Sequence, residues 1–241
     1  GVVQVQAAED TYVKTDELTD NDTAAPKKDS VIPSKNQYEY QKQELAAFCH
    51  FGMNTYTGSE WGNGKENPNQ FQLTNDFDEE TYVKAIHDAG FKKLIITAKH
   101  HDGFCIWPSE MTTHDTETAG YEGDVLEELS RACTKYNIDM GLYLSPWDVN
   151  SEYYGYKDKD GKKLVGADGQ PLNGKTWDQV KQEDALDYNE YYDNQLKEIL
   201  GNDKYGNNGH FKEVWMDGAK DTNDKSNAQD YDFQRWFKTI Q

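Results

Sequence analysis

The feature that most constrains the fold is a regular alternation of short apolar runs and longer helical stretches. Four runs have strand length, and the one containing Leu94, Ile95 and Ile96 is continuously apolar, as in a strand covered on both faces. Since helical spacing follows each run, the sequence predicts an α/β fold of parallel strands joined by right-handed crossovers. The predicted strands are residues 46–54, 93–101, 138–146 and 213–217.

Capping residues mark the ends of the intervening helices. Asp78 and Asp124 are each placed to accept hydrogen bonds from the first turn of a helix. Gly90 is placed to stop the first of these helices. Helices are predicted over residues 38–45, 79–89, 125–132 and 188–200, and from residue 231 onward.

Residues 1–36 differ in composition from the rest of the chain. They are poor in large apolar side chains and rich in Asp, Thr and Lys, which is typical of a leader or linker. One short strand is predicted within them, at residues 2–5. Farther on, a polar insert follows the third strand of the main pattern, and its residues 158–163 are typical of a hairpin turn.

Four strand–helix units are half of an eightfold (β/α)8 barrel. An isolated half barrel would leave two bare strand edges and an open core. Either the strands form an open sheet, or the polypeptide continues beyond Gln241 or in a second fragment that completes the barrel. We favour the second interpretation, in which residues 37–241 are the N-terminal half of a TIM-barrel domain.

Charge and composition argue against several classes of protein. The formal net charge is −19 over 241 residues, whereas nucleic acids and anionic membranes require clustered Lys and Arg. No apolar run approaches the roughly 20 residues of a membrane-spanning helix. Cys49, Cys105 and Cys133 have neither metal-ligand spacing nor the pattern of a disulfide framework. The 16 Tyr and 6 Trp suit flat contacts with an uncharged sugar.

Polar and aromatic side chains gather at the ends of the predicted strands, where parallel-sheet and barrel folds carry their reactive groups. The last strand ends in Trp215 and Asp217, and Gly218 turns the chain after the acid. Taken alone, Asp217 fits a loop-capping residue as well as a nucleophile or base. The earlier strands and their loops contribute Phe48, His50, Glu60, Trp61, His100, His101, Tyr143 and Ser145.

Such a set of side chains predicts a pocket for a neutral, polyhydroxylated ring. Imidazoles and carboxylates hydrogen-bond hydroxyl groups, and an indole covers the apolar C–H face of a sugar. A metal site formed by His50, His100, His101 and Asp217 is the weaker alternative. The sequence has no HxH or HExxH spacing, and the adjacent His100 and His101 face opposite ways unless the strand has already ended before them. No cofactor is expected.

Five short motifs follow one another along the chain: FCHFG at residues 48–52, SEWG at 59–62, KHHDGF at 99–104, SPWD at 145–148 and VWMDG at 214–218. In this order, from about residue 38 to the C-terminus, they resemble glycoside hydrolase family 29, the α-L-fucosidases. The SPWD motif, which follows the third strand, also resembles the subfamily that acts on α-1,3 and α-1,4 linkages of branched, Lewis-type glycans.

The resemblance implies a retaining exo-hydrolase on a (β/α)8 barrel. Asp217 matches the family's nucleophile, which would attack the anomeric carbon of fucose and form a covalent fucosyl-aspartate. Phe48 and Trp215 match aromatics that enclose the C6 methyl group of the sugar. Tyr143 lies close to the position of a pocket tyrosine. The positions that hold fucose are matched by His50, Glu60, Trp61, His100, His101 and Trp215.

The acid/base carboxylate of the family lies several tens of residues after the nucleophile, whereas this chain ends two dozen residues after Asp217. We therefore expect that residue outside this chain, and a second polypeptide fragment as a partner. The expected substrate is a fucosylated oligosaccharide or glycoconjugate, acted on by a secreted or cell-surface enzyme whose signal peptide is not present in this chain. A catalytically inactive sugar-binding module of the same fold is the main alternative, and a metal-dependent barrel hydrolase is the other.

Overall fold

The computed structural model describes residues 3–6, 46–49, 78–217 and 229–241. The strands are β1 (Val3–Gln6), β2 (Ala46–Cys49), β3 (Lys93–Lys99), β4 (Asp139–Leu144) and β5 (Glu213–Met216). The helices are α1 (Glu79–Asp88), α2 (Val125–Lys135), α3 (Trp177–Glu183), α4 (Tyr188–Leu200) and α5 (Phe233–Ile240). Among the described residues, no helix is long and apolar enough to cross a membrane.

The strands form one sheet in the order β1-β5-β4-β3-β2. The four strands from β2 to β5 are parallel and follow one another in chain order, so the predicted α/β fold with a parallel sheet is confirmed. When successive parallel strands are added in one direction and every crossover has the same handedness, the crossover helices lie on the same face of the sheet. A doubly wound sheet would instead reverse direction at a switch point.

The short strand predicted in the leader exists, but the sequence did not predict its partner. Strand β1 pairs antiparallel with β5, with Val3 opposite Met216. It therefore occupies the edge of β5 that is not paired with β4. The helix predicted over residues 38–45 and the end of the first predicted strand, residues 50–54, lie outside the described residues.

Alternate residues of the strands divide between two environments. Leu94, Ile96 and Ala98 of β3 belong to a buried apolar cluster shared with the helices. Ile95 lies on the opposite face, where side chains from β3 and β5 approach Gly141 of β4. There Gly141 of β4 leaves room for its neighbours, because an added Cβ would lie 3.0 Å from Ile95 Cγ1 and little farther from β5.

Helices α1 and α2 contact each other through a tyrosine in the loop that precedes α2. The hydroxyl oxygen of Tyr121 is 2.7 Å from Glu79 Oε1 and 2.6 Å from Glu128 Oε2. A phenol has only one proton to donate, so one of the two carboxyl groups must keep a proton for both contacts to be hydrogen bonds. The cluster joins the first turns of α1 and α2, the helices that follow β2 and β3 in the chain.

The insert between β4 and α4 contains the predicted hairpin turn and one unpredicted helix. Asp158 N donates to Lys162 O at 2.9 Å, which closes the turn. Helix α3 was missed, although Thr176 and Gln179 form a reciprocal capping box that is visible in the sequence. The insert also contacts the chain after β5, since Gly155 N donates to Gln229 Oε1 at 2.6 Å.

Three strands end earlier than predicted, and the difference matters most for β3. That strand was predicted to continue to His101, but it ends at Lys99, and its register against β4 shifts between Thr97 and Lys99. A register irregularity of this kind bends a strand and redirects the side chains that follow. His100 and His101 therefore lie beyond the end of the strand, the case in which adjacent histidines need not face opposite ways.

Candidate active site

Both histidines after β3 lie in one aromatic cluster. The ring centroids of His100 and His101 are 4.1 Å apart, with planes inclined by 41°. The ring of Tyr143, from β4, stacks on His100 at 5.8 Å and 10°. Trp147, in the loop after β4, contacts His101 at 4.8 Å. Since His100 and His101 follow the end of the strand, they are not bound by its alternation.

Asp217 directly follows β5 and its carboxylate is oriented toward this cluster. The hydroxyl of Tyr143 donates a hydrogen bond to Asp217 Oδ2 at 3.0 Å. Burial, and then the negative charge of Asp217, raise the pKa of the Tyr143 phenol far above its usual range. The phenol therefore keeps its proton and remains a donor. A partly exposed carboxylate held in this way can serve as a nucleophile or a base.

Phe48 and Trp215 form an aromatic pair, although their strands are not neighbours. Their ring centroids are 5.6 Å apart in an edge-to-face arrangement of 82°. Strands β2 and β5 are separated by β3 and β4, so on a flat sheet the two residues would lie roughly 14 Å apart, from three spacings of about 4.8 Å. The sheet must therefore curve so that this face is concave. Phe48 remains 58% exposed at the rim.

The structure brings together most of the predicted site residues that it describes. Asp217, Tyr143, His100 and His101 form a contiguous group, and Phe48 and Trp215 form the neighbouring aromatic pair on the same curved sheet. Three predicted residues, His50, Glu60 and Trp61, lie outside the described residues. In the ranges that are described, no three His, Cys, Asp or Glu residues are grouped to hold a metal ion.

A buried lysine supports this site and was not recognised in the sequence. The Nζ atom of Lys99 is 2.8 Å from Gln195 Oε1 and 3.2 Å from Asp148 Oδ2. The other oxygen of Asp148 accepts from the backbone N–H groups of Asn150 and Ser151. Lys99 thus attaches the loop that carries Trp147 to the end of β3. Both residues belong to recognised motifs, KHHDGF and SPWD, but their pairing across 49 positions has no local signal.

Asp148 also explains a glycine in the loop after β3. Gly103 has φ +76°, and a Cβ added there would lie 2.3 Å from Asp148 Oδ1. A left-handed backbone angle and a neighbouring carboxylate both require glycine at this position. The close approach lets the loops after β3 and β4 pack together beside the histidines.

Comparison with known proteins gives one consistent family. The family model described as Alpha-L-fucosidase matches residues 11–240. Alpha-L-fucosidase 1 of Arabidopsis thaliana is 40% identical over 212 residues, which cover 87% of this chain and 35% of that protein. The chain thus spans about a third of the length of this curated relative.

Solved structures of similar proteins agree with the family model. A glycoside hydrolase family 29 fucosidase of Ruminococcus gnavus, in complex with fucose, is 58% identical, with a TM-score of 0.75 over 90% of this chain and 41% of that one. A second similar structure is a trapped covalent intermediate of a family 29 α-L-fucosidase from Bacteroides thetaiotaomicron with 2-fluoro-fucosyl fluoride. It is 26% identical, with a TM-score of 0.52 over 70% of this chain and 39% of that one.

Proposed function

This chain belongs to the α-L-fucosidase family, glycoside hydrolase family 29, and we propose that it forms the N-terminal half of the catalytic barrel of a retaining exo-α-L-fucosidase. The complete enzyme would release terminal fucose from a fucosylated oligosaccharide or glycoconjugate. The observation that carries the proposal is the position of Asp217. Its carboxylate accepts a hydrogen bond from Tyr143 at 3.0 Å, and Tyr143 in turn stacks on His100.

Asp217 is the proposed nucleophile. An oxygen of its carboxylate forms a bond to the anomeric carbon of fucose as the bond from that carbon to the leaving oxygen breaks. A second carboxylic acid protonates the leaving oxygen, and afterwards the same group removes a proton from the water that hydrolyses the ester. We place this second carboxyl outside the chain, in the part of the barrel that a further segment or a second polypeptide supplies.

The remaining site residues are proposed to hold the sugar. The imidazoles of His100 and His101 would hydrogen-bond its hydroxyl groups, together with His50, Glu60 and Trp61. The apolar faces of Phe48 and Trp215 would enclose the C6 methyl group, as their edge-to-face contact leaves an aromatic rim at the concave face. A sugar with a hydroxyl at C6 would bury it there without a partner, at a cost of about 1–3 kcal/mol.

The curvature of the sheet supports a barrel. The strands follow one another in chain order, with their crossovers on one face of the sheet. The opposite face is concave and brings Phe48 to Trp215. A section of a (β/α)8 wall requires both features. The chain's share of its relatives, 35% of the Arabidopsis protein and 41% of the Ruminococcus one, is compatible with half of such a domain.

Two finer parts of the proposal rest on the motifs and on substrate chemistry. The SPWD sequence at residues 145–148 favours α-1,3 and α-1,4 linkages in Lewis-type glycans. Glycans of that kind are carried on extracellular and cell-surface molecules, so we propose a secreted or surface-attached enzyme. Hydrolysis of fucosylated trisaccharides that differ only in linkage would test the first point, and equal rates on α-1,2 and α-1,3 isomers would contradict it.

The nucleophile can be tested without the acid/base residue. In 2-fluoro-fucosyl fluoride the anomeric fluoride departs with its bonding electron pair and needs no protonation, so labelling does not depend on the acid/base residue. The fluorine at C2 slows hydrolysis of the resulting ester, since it disfavours the oxocarbenium-like transition state. We expect mass spectrometry of the digested protein to find one 2-fluorofucosyl adduct, on the peptide containing Asp217.

Two variants control this experiment. Asp217→Asn should abolish the adduct, whereas Asp187→Asn should leave it unchanged, because Asp187 caps α4 and asparagine caps equally well. An adduct on another carboxylate would contradict the assignment. Fucose binding by calorimetry with no adduct would instead favour a sugar-binding module. A label that forms only with a divalent metal, and is lost on chelation, would favour the metal-dependent hydrolase.

A further inference from the structure

The hydroxyl group of Ser145 lies where three strand ends meet. Its oxygen is 2.6 Å from His101 Nδ1, 2.7 Å from the carbonyl oxygen of Trp147 and 3.4 Å from the carbonyl oxygen of Asp217. Ser145 is fully buried, with 0% exposure, and His101 is almost as buried. In such a place each polar contact must be satisfied by the protein, because an unmade hydrogen bond is costly.

The protons in this group can be assigned from the contacts. A serine hydroxyl has one proton to donate and two lone pairs, and a carbonyl oxygen can only accept. The short contact between Ser145 and Trp147 O therefore requires the serine proton, and the longer contact to Asp217 O competes poorly for it. Ser145 Oγ is then an acceptor toward His101, so His101 Nδ1 must carry a proton.

The opposite assignment fails on the same distances. If Ser145 donated its proton to His101 Nδ1, its lone pairs would face the carbonyl oxygen of Trp147 at 2.7 Å with no proton between the two oxygens. Two unprotonated oxygens at that separation repel each other, and burial removes the water that would screen them.

We propose that Ser145 is a positioning residue that holds His101 as the neutral tautomer protonated on Nδ1, which makes Nε2 the acceptor through which the ring reads a sugar hydroxyl. The second half of this inference rests on the proposed function. A neutral imidazole with Nδ1–H has its remaining lone pair on Nε2. The sugar hydroxyl at this position must therefore donate its proton, and a sugar with only an acceptor there is rejected.

This role distinguishes Ser145 from a residue that only packs. The same hydroxyl accepts a hydrogen bond from His101 and donates one to the backbone carbonyl of Trp147. Without this hydroxyl, His101 should no longer be fixed in one tautomer, and the orientation of its ring should no longer be fixed either. A packing role would leave the tautomer unchanged.

The tautomer is measured directly by NMR of the full chain labelled with 15N at histidine. Long-range proton–nitrogen correlations separate a protonated from an unprotonated ring nitrogen, and His101→Asn identifies the signals of His101. We expect wild-type His101 to be protonated on Nδ1 and bare on Nε2 near neutral pH. A proton on Nε2, in the other tautomer or in an imidazolium, would overturn the proposal without any variant being needed.

Ser145→Ala should shift His101 toward the tautomer protonated on Nε2, and Ser145→Thr, which keeps a hydroxyl, should restore the wild-type pattern. The matched control is Ser130→Ala in α2. That serine is equally buried and donates to Leu126 O at 2.7 Å, but it lies on the helical side. If circular dichroism shows that the Ser145→Ala chain is folded and the His101 signals are unchanged, the proposal is contradicted.

A binding measurement tests the sugar-reading half. Calorimetry with fucose should show affinity lowered about fivefold by Ser145→Ala, as for one compromised hydrogen bond, and unaltered by Ser130→Ala. If Ser145→Ala changes the tautomer and yet leaves the affinity for fucose within about twofold of wild type, the difference is less than the effect of one hydrogen bond. In that case His101 does not accept a hydrogen bond from the sugar through Nε2. The two proposals can fail separately. If 2-fluoro-fucosyl fluoride does not label Asp217 but His101 is protonated on Nδ1, the hydrolase proposal fails. The effect of Ser145 on His101 is then still supported.

Discussion

Replacement of Lys99 by methionine should strongly destabilise the chain, because it would leave a buried carboxylate without its cation. Lys99 is 0% exposed and Asp148 is 1% exposed. The ammonium group is within 3.3 Å of Asp148, Gln195 and Tyr188, and within 5.6 Å of the centroids of three tyrosine rings. Methionine fills much of the same volume, so the main loss is electrostatic.

The magnitude follows from the charge that remains. In Lys99→Met the Asp148 carboxylate keeps, among the described residues, the backbone N–H groups of Asn150 and Ser151 as donors. Removing one partner of a buried pair costs about 3–5 kcal/mol. For a chain of this size, that loss corresponds to a fall of roughly 6–20 °C in the thermal midpoint. The double variant Lys99→Met with Asp148→Asn should recover more than half of the loss, since asparagine still accepts both backbone hydrogen bonds.

Urea unfolding followed by circular dichroism would measure these differences, with reversibility checked by refolding. The matched control is Lys135→Met, which breaks the solvent-exposed ion pair of Lys135 with Glu80 and should have little effect. A Lys99→Met chain within about 1 kcal/mol of wild type would refute the idea that the ammonium group compensates a buried charge.

Three further predictions concern the site, the sheet and pH. Tyr143→Phe should keep the fold but lower the turnover of an aryl fucoside by the complete enzyme about tenfold or more, because Asp217 loses the hydrogen bond that orients it; an unchanged rate would contradict that role. Gly141→Ala should destabilise the chain by about 1–3 kcal/mol in urea unfolding, since its methyl group would crowd β3 and β5; full stability would show that the sheet relaxes freely. Burial, followed by the hydrogen bond with Glu128, raises the pKa of Glu79 from 4.5 to about 7. The folded state therefore binds more protons than the unfolded chain between those values, so this contribution to stability is complete below about pH 4.5 and is lost as the pH rises through about 7. Glu79→Gln should remove that dependence from thermal midpoints measured across this range, and a variant with the wild-type slope would show that another group titrates.

The strands and helices were largely predictable because their signals are local. The run around Leu94 and the caps Asp78 and Asp124 act over a few residues, and the structure places β3, α1 and α2 accordingly. The errors occur where a tertiary contact changes the local pattern. Strand β3 ends at Lys99 because its register against β4 shifts there. Helix α3 was not predicted, although its capping box at Thr176 is a local signal in the sequence.

For the candidate site, the sequence predicted the members but not the way in which they are connected. Tyr143 and Asp217 were each assigned to a strand end, and the structure shows the hydrogen bond between them. Ser145 was named among the strand-end residues without a role of its own, although its hydroxyl contacts His101 across 44 positions. The roles of these residues in binding and catalysis stay predictions.

The sequence by itself determined the alternation of strands and helices, the helix caps and the set of motifs that identifies the family. All three depend on residue type and short spacing, which the chain carries before it folds. The tertiary structure alone decided that β1 pairs with β5, that Phe48 reaches Trp215 and that Lys99 meets Asp148. These contacts depend on sheet register and curvature, which arise only when distant segments pack together.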